Sequence, residues 1–274
     1  MKKEEQSSFL MHKIKKLQIG LFDMIYPEVY IKKELNKQKK GMNMKAIAII
    51  TARGGSKRIP RKNIKLFLGK PIIEYSIEAA LASGIFDEVM VSTDDEEIAE
   101  IAVRAGAKVP FMRSEETSND YATTTDVLLE VLDRYKEQGK EFEYMACLYP
   151  TNPFITPEKL QKAMKLISEN DYAEVLPVVP FSFPPQRAYV FHENDSLKYK
   201  WEEFKDSRSQ DLEKMYHDAG QFYFYDVKKY IENRGVKGKI YPLICGEHEV
   251  QDIDTEEDWK MAEFKVEYMK RGNC

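Results

Sequence analysis

An α/β fold with a mainly parallel sheet is predicted by two observations. Short apolar, strand-like runs alternate with helical patterns from Met44 onward, and that rhythm breaks only once, in a polar, proline-bearing stretch after Pro180. The 274 residues, 43% of them hydrophobic, suffice for one main domain with a smaller appended piece rather than two equal domains.

The elements follow in order. Lys45 to Thr51 (KAIAIIT) reads as a buried strand, and Ile72 to Ala82 as a helix with Pro71 suitably placed at its start. Val89 to Thr93 is a second strand and Asp95 to Ala105 a helix, with Asp94 and Asp95 read as helix-start residues. Lys108 to Met112 is a third strand, Thr123 to Tyr135 a helix and Tyr144 to Tyr149 a fourth strand. Thr156 to Ser168 and Ala173 to Val179 supply a further helix and strand. The stretch from Pro180 to about Ala219 is too long for an ordinary connection and reads as a lid, an oligomerisation arm or both. Gln221 to Tyr225 (QFYFY) returns the chain to the core, and a strand around Ile240 to Ile244 precedes the acidic EVQDIDTEEDW and a closing helix.

Residues 1–43 differ from the rest. They are lysine-rich, with Phe9, Leu10, Ile14, Leu17, Leu21 and Ile25 at irregular helical spacing. The expectation is an appended helical or disordered segment, with a basic membrane-surface helix as the alternative.

A net charge of −4 and a pI near 5.8 argue against a nucleic-acid partner, which normally demands a basic face. Three widely spaced cysteines, Cys147, Cys245 and Cys274, suggest neither a disulfide framework nor a zinc site, and a reducing cytoplasm fits best. No apolar run approaches the roughly 18 residues of a spanning helix, and lysines interrupt any signal-like stretch, so no membrane partner is expected.

The chemistry concentrates first in ARGGSKRIPRKN, Ala52 to Asn63, directly after the first strand. Ligands of parallel sheets bind beyond the carboxyl ends of strands, where glycines such as Gly54 and Gly55 let backbone N–H groups approach phosphate oxygens. Arg53, Lys57, Arg58, Arg61 and Lys62 add a density of positive charge that suits a polyanion such as a triphosphate. Neither GxxxxGK[ST] nor GxGxxG is present, which demotes both of those nucleotide-binding families. A merely solvated basic loop is the bland alternative.

This loop resembles the signature of the acylneuraminate cytidylyltransferases, the CMP-sialic acid synthetases. The likeness extends through GKPIIEYSIEAA (69–80), VSTDDEEIA (91–99), YPTNPF (149–154) and QDIDTEEDW (251–259). The related ketodeoxyoctulosonate cytidylyltransferases carry a loop more like RLPGKPL, so RIPRKN favours enzymes of nine-carbon sugars. The resemblance implies a Rossmann-like, three-layer nucleotidyltransferase domain over 44–274, with 180–220 as a dimerisation and substrate arm. It implies a nucleotide site of Ala52, Arg53, Gly54, Gly55, Lys57, Lys62, Asn63 and Arg113, in which Arg53, Lys57 and Lys62 hold the triphosphate catalytically and Asn63 helps fix the cytidine. In SNDYATTT (118–125) a role in reading cytosine and ribose stands level with simple helix capping.

Asp252 and Asp254 alternate across Ile253, which on an extended segment points both carboxylates to one face, a plausible seat for Mg²⁺. The family likeness assigns the pair the same role. Thr255, Glu256, Glu257 and Asp258 read instead as the start of the closing helix. The reaction implied is attack by a sugar's anomeric hydroxyl on the α-phosphorus of CTP, with pyrophosphate leaving. No clear protein base is visible, and His217 is a candidate by chemistry alone.

The acidic sugar is narrowed by departures from the sialic acid pattern. Tyr149 stands before PTNP where a glutamine is usual, and YHDAGQFYFY (216–225) replaces an asparagine-glycine-alanine run. HDAGQFY, with FPPQRA (183–188), is similar to the pseudaminic acid branch of the family. Pseudaminic acid carries a carboxylate, two acylamino groups and a methyl end. The expected sugar-binding residues are Tyr149, Gln186, Arg187, Arg208, His217 and Gln221, with Tyr216 and Phe222 supplying apolar surface and a homodimer placing partner residues nearby. Neuraminic or legionaminic acid is the alternative substrate; a catalytically silent nucleotide-binding module or a metal-free sugar-binding protein is the alternative class.

Overall fold

The computed structural model describes residues 45–272; the reading of residues 1–43 lies outside them. Strand β1 (Ala46–Thr51) is the centre of the sheet. Its residues 46–50 are fully buried, and they alternate: Ala46, Ala48 and Ile50 face one layer of helices, Ile47 and Ile49 the other. A strand buried on both faces explains why its sequence is apolar without a break.

A two-residue hairpin, β2 (Leu66–Phe67) and β3 (Lys70–Pro71), precedes helix α1 (Ile73–Ser83). The chain then forms β4 (Glu88–Ser92), α2 (Glu96–Arg104), the single turn α3 (Glu115–Ser118), α4 (Thr124–Glu137), β5 (Tyr144–Leu148), α5 (Pro157–Glu169) and β6 (Glu174–Pro180). The segment that follows carries the hairpin β7 (Tyr189–Phe191) and β8 (Leu197–Tyr199), then β9 (Tyr216–Asp218). The chain closes with β10 (Phe222–Asp226), α6 (Val227–Asn233), β11 (Ile240–Ile244) and α7 (Glu256–Lys270).

The sheet runs β11-β6-β10-β5-β1-β4, with β9 also paired to β6. Strands β4, β1, β5, β6 and β11 are parallel, whereas β10 and β9 are reversed. Helices α1, α2 and α5 pack Ile73, Ile77, Ile98, Ile101, Leu160 and Met164 on one face. On the other face α4 and α6 pack Leu128, Val131, Tyr135 and Tyr230, which completes three layers. No helix among the described residues is long and apolar enough to cross a membrane.

One expected strand needs correction. Lys108 to Met112 is not a strand: a single parallel bridge, Met90 to Lys108, forms before Pro110, which has no N–H to donate, ends the pairing. QFYFY returns to the core as expected, running opposite to β5 because the preceding arm ends at the rim from which β5 departs. Phe222 therefore stands opposite Leu148, and the Tyr149 amide donates to the Gln221 carbonyl at 3.0 Å.

Between Val178↔Asp218 and Val175↔Phe224, three steps along β6 are matched by six along the returning chain. The surplus bulges out at Ala219–Gln221, where Gly220 takes a left-handed φ of 60° that a glycine adopts without penalty.

A third, smaller core positions the chemistry. Ile59 from the basic loop, Ile253 from the acidic segment, Phe154 after β5 and Trp259, Ala262 and Val266 of α7 bury one another. Each fully buried isoleucine contributes roughly 2–3 kcal/mol of apolar burial. This core joins two motifs nearly 200 residues apart.

Candidate active site

The basic loop leaves β1 at its carboxyl end. Ala52 is buried and its amide donates to the Ser92 carbonyl at the end of β4, 3.0 Å away. The Gly54 amide donates to Asp94 Oδ1 at 2.8 Å, and a β-carbon added to Gly54 would lie 2.7 Å from Asp95 Oδ2, so only glycine allows this approach. Asp94 is thus a loop anchor rather than the helix-start residue expected. Asp95 does start α2, accepting from the Ile98 amide.

Asp95 has a second role. Arg61 grips it with two guanidinium nitrogens and reaches Glu97 as well. The hydrogen bonds from Arg61 hold the Asp95 carboxyl below its ordinary range despite partial burial, and the same contacts raise the guanidinium. Arg61 itself has φ 56°, the left-handed region in which side chains other than glycine are strained. The ion pairs hold it there.

Asn63, almost fully buried, donates its amide to the Arg53 carbonyl at 2.8 Å and so sets the shape of the loop. Arg113 donates from Nε to Ser92 Oγ at 3.0 Å and from Nη2 to the Ser92 carbonyl at 2.6 Å, which fixes it beside β4; burial lowers its pKa. In SNDYATTT, Thr123 is the N-cap of α4 in a reciprocal box with Asp126. Asp120 was not anticipated: its carboxylate accepts from Arg53 Nη1 at 2.9 Å and from Lys57 Nζ at 2.6 Å.

The acidic segment arrives from the far end of the chain. With Ile253 buried between them, Asp252 is exposed and Asp254 partly so. Asp254 accepts from Arg58 Nη1 at 2.6 Å, and Lys62 Nζ lies 3.6 Å from its other oxygen while donating to the Ile253 carbonyl at 2.6 Å. Among the described residues no group of three or more His, Cys, Asp or Glu side chains forms a ready-made metal cage. Two carboxylates flanking a buried Ile253 nevertheless have the oxygen-donor chemistry of a hard divalent cation that takes its remaining ligands from water and substrate phosphates.

Beside Asp252 lies a cavity of about 550 Å³, lined among others by Tyr149, His217, Asp218, Gly220, Tyr223 and Gln251. The Tyr149 and Tyr223 rings stand 5.3 Å apart, and Tyr223 donates to Asp218 Oδ2 at 2.7 Å. The His217 ring packs at a tilt against Phe181, centroids 5.0 Å apart. Of the expected sugar-binding residues, Tyr149 and His217 line this space.

The others do not. Gln221 is wholly buried, because the bulge turns it inward, and its amide donates to the Glu249 carbonyl at 2.6 Å, so it supports the cavity wall. Gln186 is buried within the arm on the Glu213 carbonyl. Arg187 and Arg208 are exposed in the arm away from the cavity lining. Phe222 belongs to the core, and Tyr216 lines a separate cavity with Pro180, Met215 and Ile244.

Comparison with known proteins gives the family and the fold. Residues 47–249 match the family model described as cytidylyltransferase. The chain is 44% identical over 228 residues to a pseudaminic acid cytidylyltransferase of Campylobacter jejuni, covering 82% of this chain and 98% of that protein. It is 35% identical over 232 residues to a CMP-N,N'-diacetyllegionaminic acid synthase of Legionella pneumophila, covering 82% and 97%. The structure of a CMP:2-keto-3-deoxy-manno-octonic acid synthetase complexed with CTP superposes with a TM-score of 0.61 at 21% identity, over 82% of this chain and 99% of that one, which shows a shared fold.

Proposed function

The chain belongs to the cytidylyltransferase family, and from that premise we propose that it transfers CMP from CTP to the anomeric hydroxyl of pseudaminic acid, releasing pyrophosphate. The observation that carries the reading is the meeting, at one rim of the sheet, of the basic loop, the Asp252–Asp254 pair and a cavity of sugar size. Identity to a pseudaminic acid enzyme across nearly its whole length supports the choice of sugar.

Arg53, Lys57 and Lys62 bind the triphosphate and offset the charge that gathers on the leaving pyrophosphate. In such transfers positioning and electrostatics supply most of the rate. Backbone N–H groups around Gly54 and Gly55 approach the phosphates, and Arg113 and Asn63 hold the surrounding frame. Asp252 and Asp254 would hold Mg²⁺, which when bound orients phosphate oxygens and lowers the pKa of a hydroxyl nearby. Tyr149 and His217 face the sugar and keep its hydroxyl directed toward Asp252.

We infer further that two copies act together. Phe183 and Phe191 in the arm are 84% and 82% exposed, and Tyr189 and Leu197, on the same hairpin as Phe191, are exposed too. Apolar exposure of this kind is typically covered by a partner. A second arm would also bring cations such as Arg187 toward the sugar.

The test is Mg²⁺-dependent pyrophosphate release from CTP with pseudaminic, N-acetylneuraminic and legionaminic acids in parallel. Release with pseudaminic acid alone is expected. Preference for another sugar would overturn the substrate, and no release with any would restore the silent nucleotide-binding module.

A further inference from the structure

Besides Asp252, two acidic side chains line the cavity, Glu247 and Asp218, and the transfer itself employs neither; Asp218 is the one held in place on both oxygens. Asp218 ends β9 immediately before the bulge, and both its oxygens are already held: Oδ1 accepts from the Gly220 amide at 2.7 Å and Oδ2 from the Tyr223 hydroxyl at 2.7 Å. A carboxylate oxygen accepts two hydrogen bonds, so each retains one free lone-pair direction. The side chain is exposed to the cavity and rigid on both oxygens.

The surroundings restrict what it can meet. Asp218 only accepts, so the sugar must present a donor there and keep its own carboxylate elsewhere. Val179, Ala219 and Val250 line the same cavity beside it. A donor adjoining apolar surface describes an acylamino group, whose N–H points to an acceptor while its methyl needs an oily wall. A hydroxyl would satisfy the acceptor and leave the valines against water.

We propose that Asp218, oriented by Tyr223 and the Gly220 amide, accepts the N–H of one acylamino substituent of the sugar and is a specificity-determining residue of this enzyme. The proposal rests on the reading that the substrate is an acylamino nonulosonic acid. It also accounts for two sequence departures together. The Tyr149 ring packs on the Tyr223 ring, and the Tyr223 hydroxyl donates to Asp218, so the tyrosine before PTNP and the HDAG run form one unit.

Asp218→Asn is the informative variant, because its carbonyl oxygen still accepts from Gly220 and keeps the turn, while its NH₂ confronts the sugar's N–H with a second donor. Steady-state pyrophosphate release is measured for the full-length wild-type and D218N proteins with pseudaminic acid and with analogues carrying hydroxyl in place of each acylamino group. CTP binding is followed separately by calorimetry.

The expected result is a sugar KM raised roughly 10- to 100-fold in D218N, the range for one hydrogen bond to a charged group, with CTP affinity unchanged. One hydroxyl analogue should be discriminated by the wild type and no longer by D218N. Tyr223→Phe should produce a smaller shift of the same kind. If the wild type uses pseudaminic acid while D218N keeps its sugar KM and its discrimination, Asp218 merely closes the bulge and the proposal fails. If the wild type refuses pseudaminic acid, the substrate reading fails instead, and the same pair of measurements on the acylamino sugar it accepts decides the role of Asp218. Refusal of every acylamino sugar overturns both.

Discussion

The Lys57 ammonium lies 2.6 Å from Asp120 Oδ2, while Arg53 holds the other oxygen of the same carboxylate. Two cations assigned to the triphosphate therefore share an internal anion, and the hydrogen bond from Lys57 is the main reason the Asp120 carboxyl sits below its ordinary range.

Lys57→Ala is expected to raise the KM for CTP roughly 10- to 100-fold, the loss of one charged hydrogen-bond partner. Asp120→Asn should act oppositely and modestly, lowering it by no more than about fivefold, because exposed ion pairs are weak. Initial rates at varied CTP check both; unchanged CTP kinetics in Lys57→Ala would remove this loop from the phosphate site.

Asp254→Ala should reduce turnover on the order of 10³-fold with the fold intact by circular dichroism. It also leaves Arg58 and Lys62 without their carboxylate. Near-normal turnover would take Asp254 out of the metal assignment.

Arg61 has the backbone conformation of a glycine, and the ketodeoxyoctulosonate loop RLPGKPL has glycine at this place. Arg61→Gly relieves the strained φ while losing the pairs to Asp95 and Glu97; Arg61→Ala loses the pairs and keeps the strain. Urea denaturation should therefore find Arg61→Ala less stable than Arg61→Gly by about 1 kcal/mol.

Burial pushes the Glu174 carboxyl up to about 7, opposed in part by a hydrogen bond with Tyr225. Since the folded state holds this proton more tightly than the unfolded chain, stability falls as pH rises from about 4.5 to 7 and stays lower above that. Glu174→Gln should remove this loss, stabilising the protein by about 3 kcal/mol at pH 8 and little at pH 4. Denaturation at the two pH values checks the sign.

Most strands and helices were legible because their apolar periodicity records which face is buried, and the basic loop announced itself by charge density after a strand. Legibility ended where a residue's meaning depends on what folds opposite it. Asp94 and Asp120 read as ordinary loop or capping acids, because their partners, the Gly54 amide and Lys57, lie about 40 and 60 positions away. Gln221 was assigned to the sugar since the bulge that turns it inward has no signal beyond Gly220. The reversal of β10 was invisible for a related reason: strand direction is set by where the preceding arm ends.

That reversal has an evolutionary consequence. Because β10 enters the sheet at the rim from which β1 and β5 leave it, the arm's re-entry at His217 and Asp218 reaches the cavity beside Tyr149 and Asp252 without disturbing the basic loop after β1. Selection can then retool the acceptor by altering the arm and its re-entry, Asp218 included, while the machinery for CTP is inherited untouched. A lineage of enzymes sharing one donor and diversifying across many acidic sugars is what such a division of labour would yield.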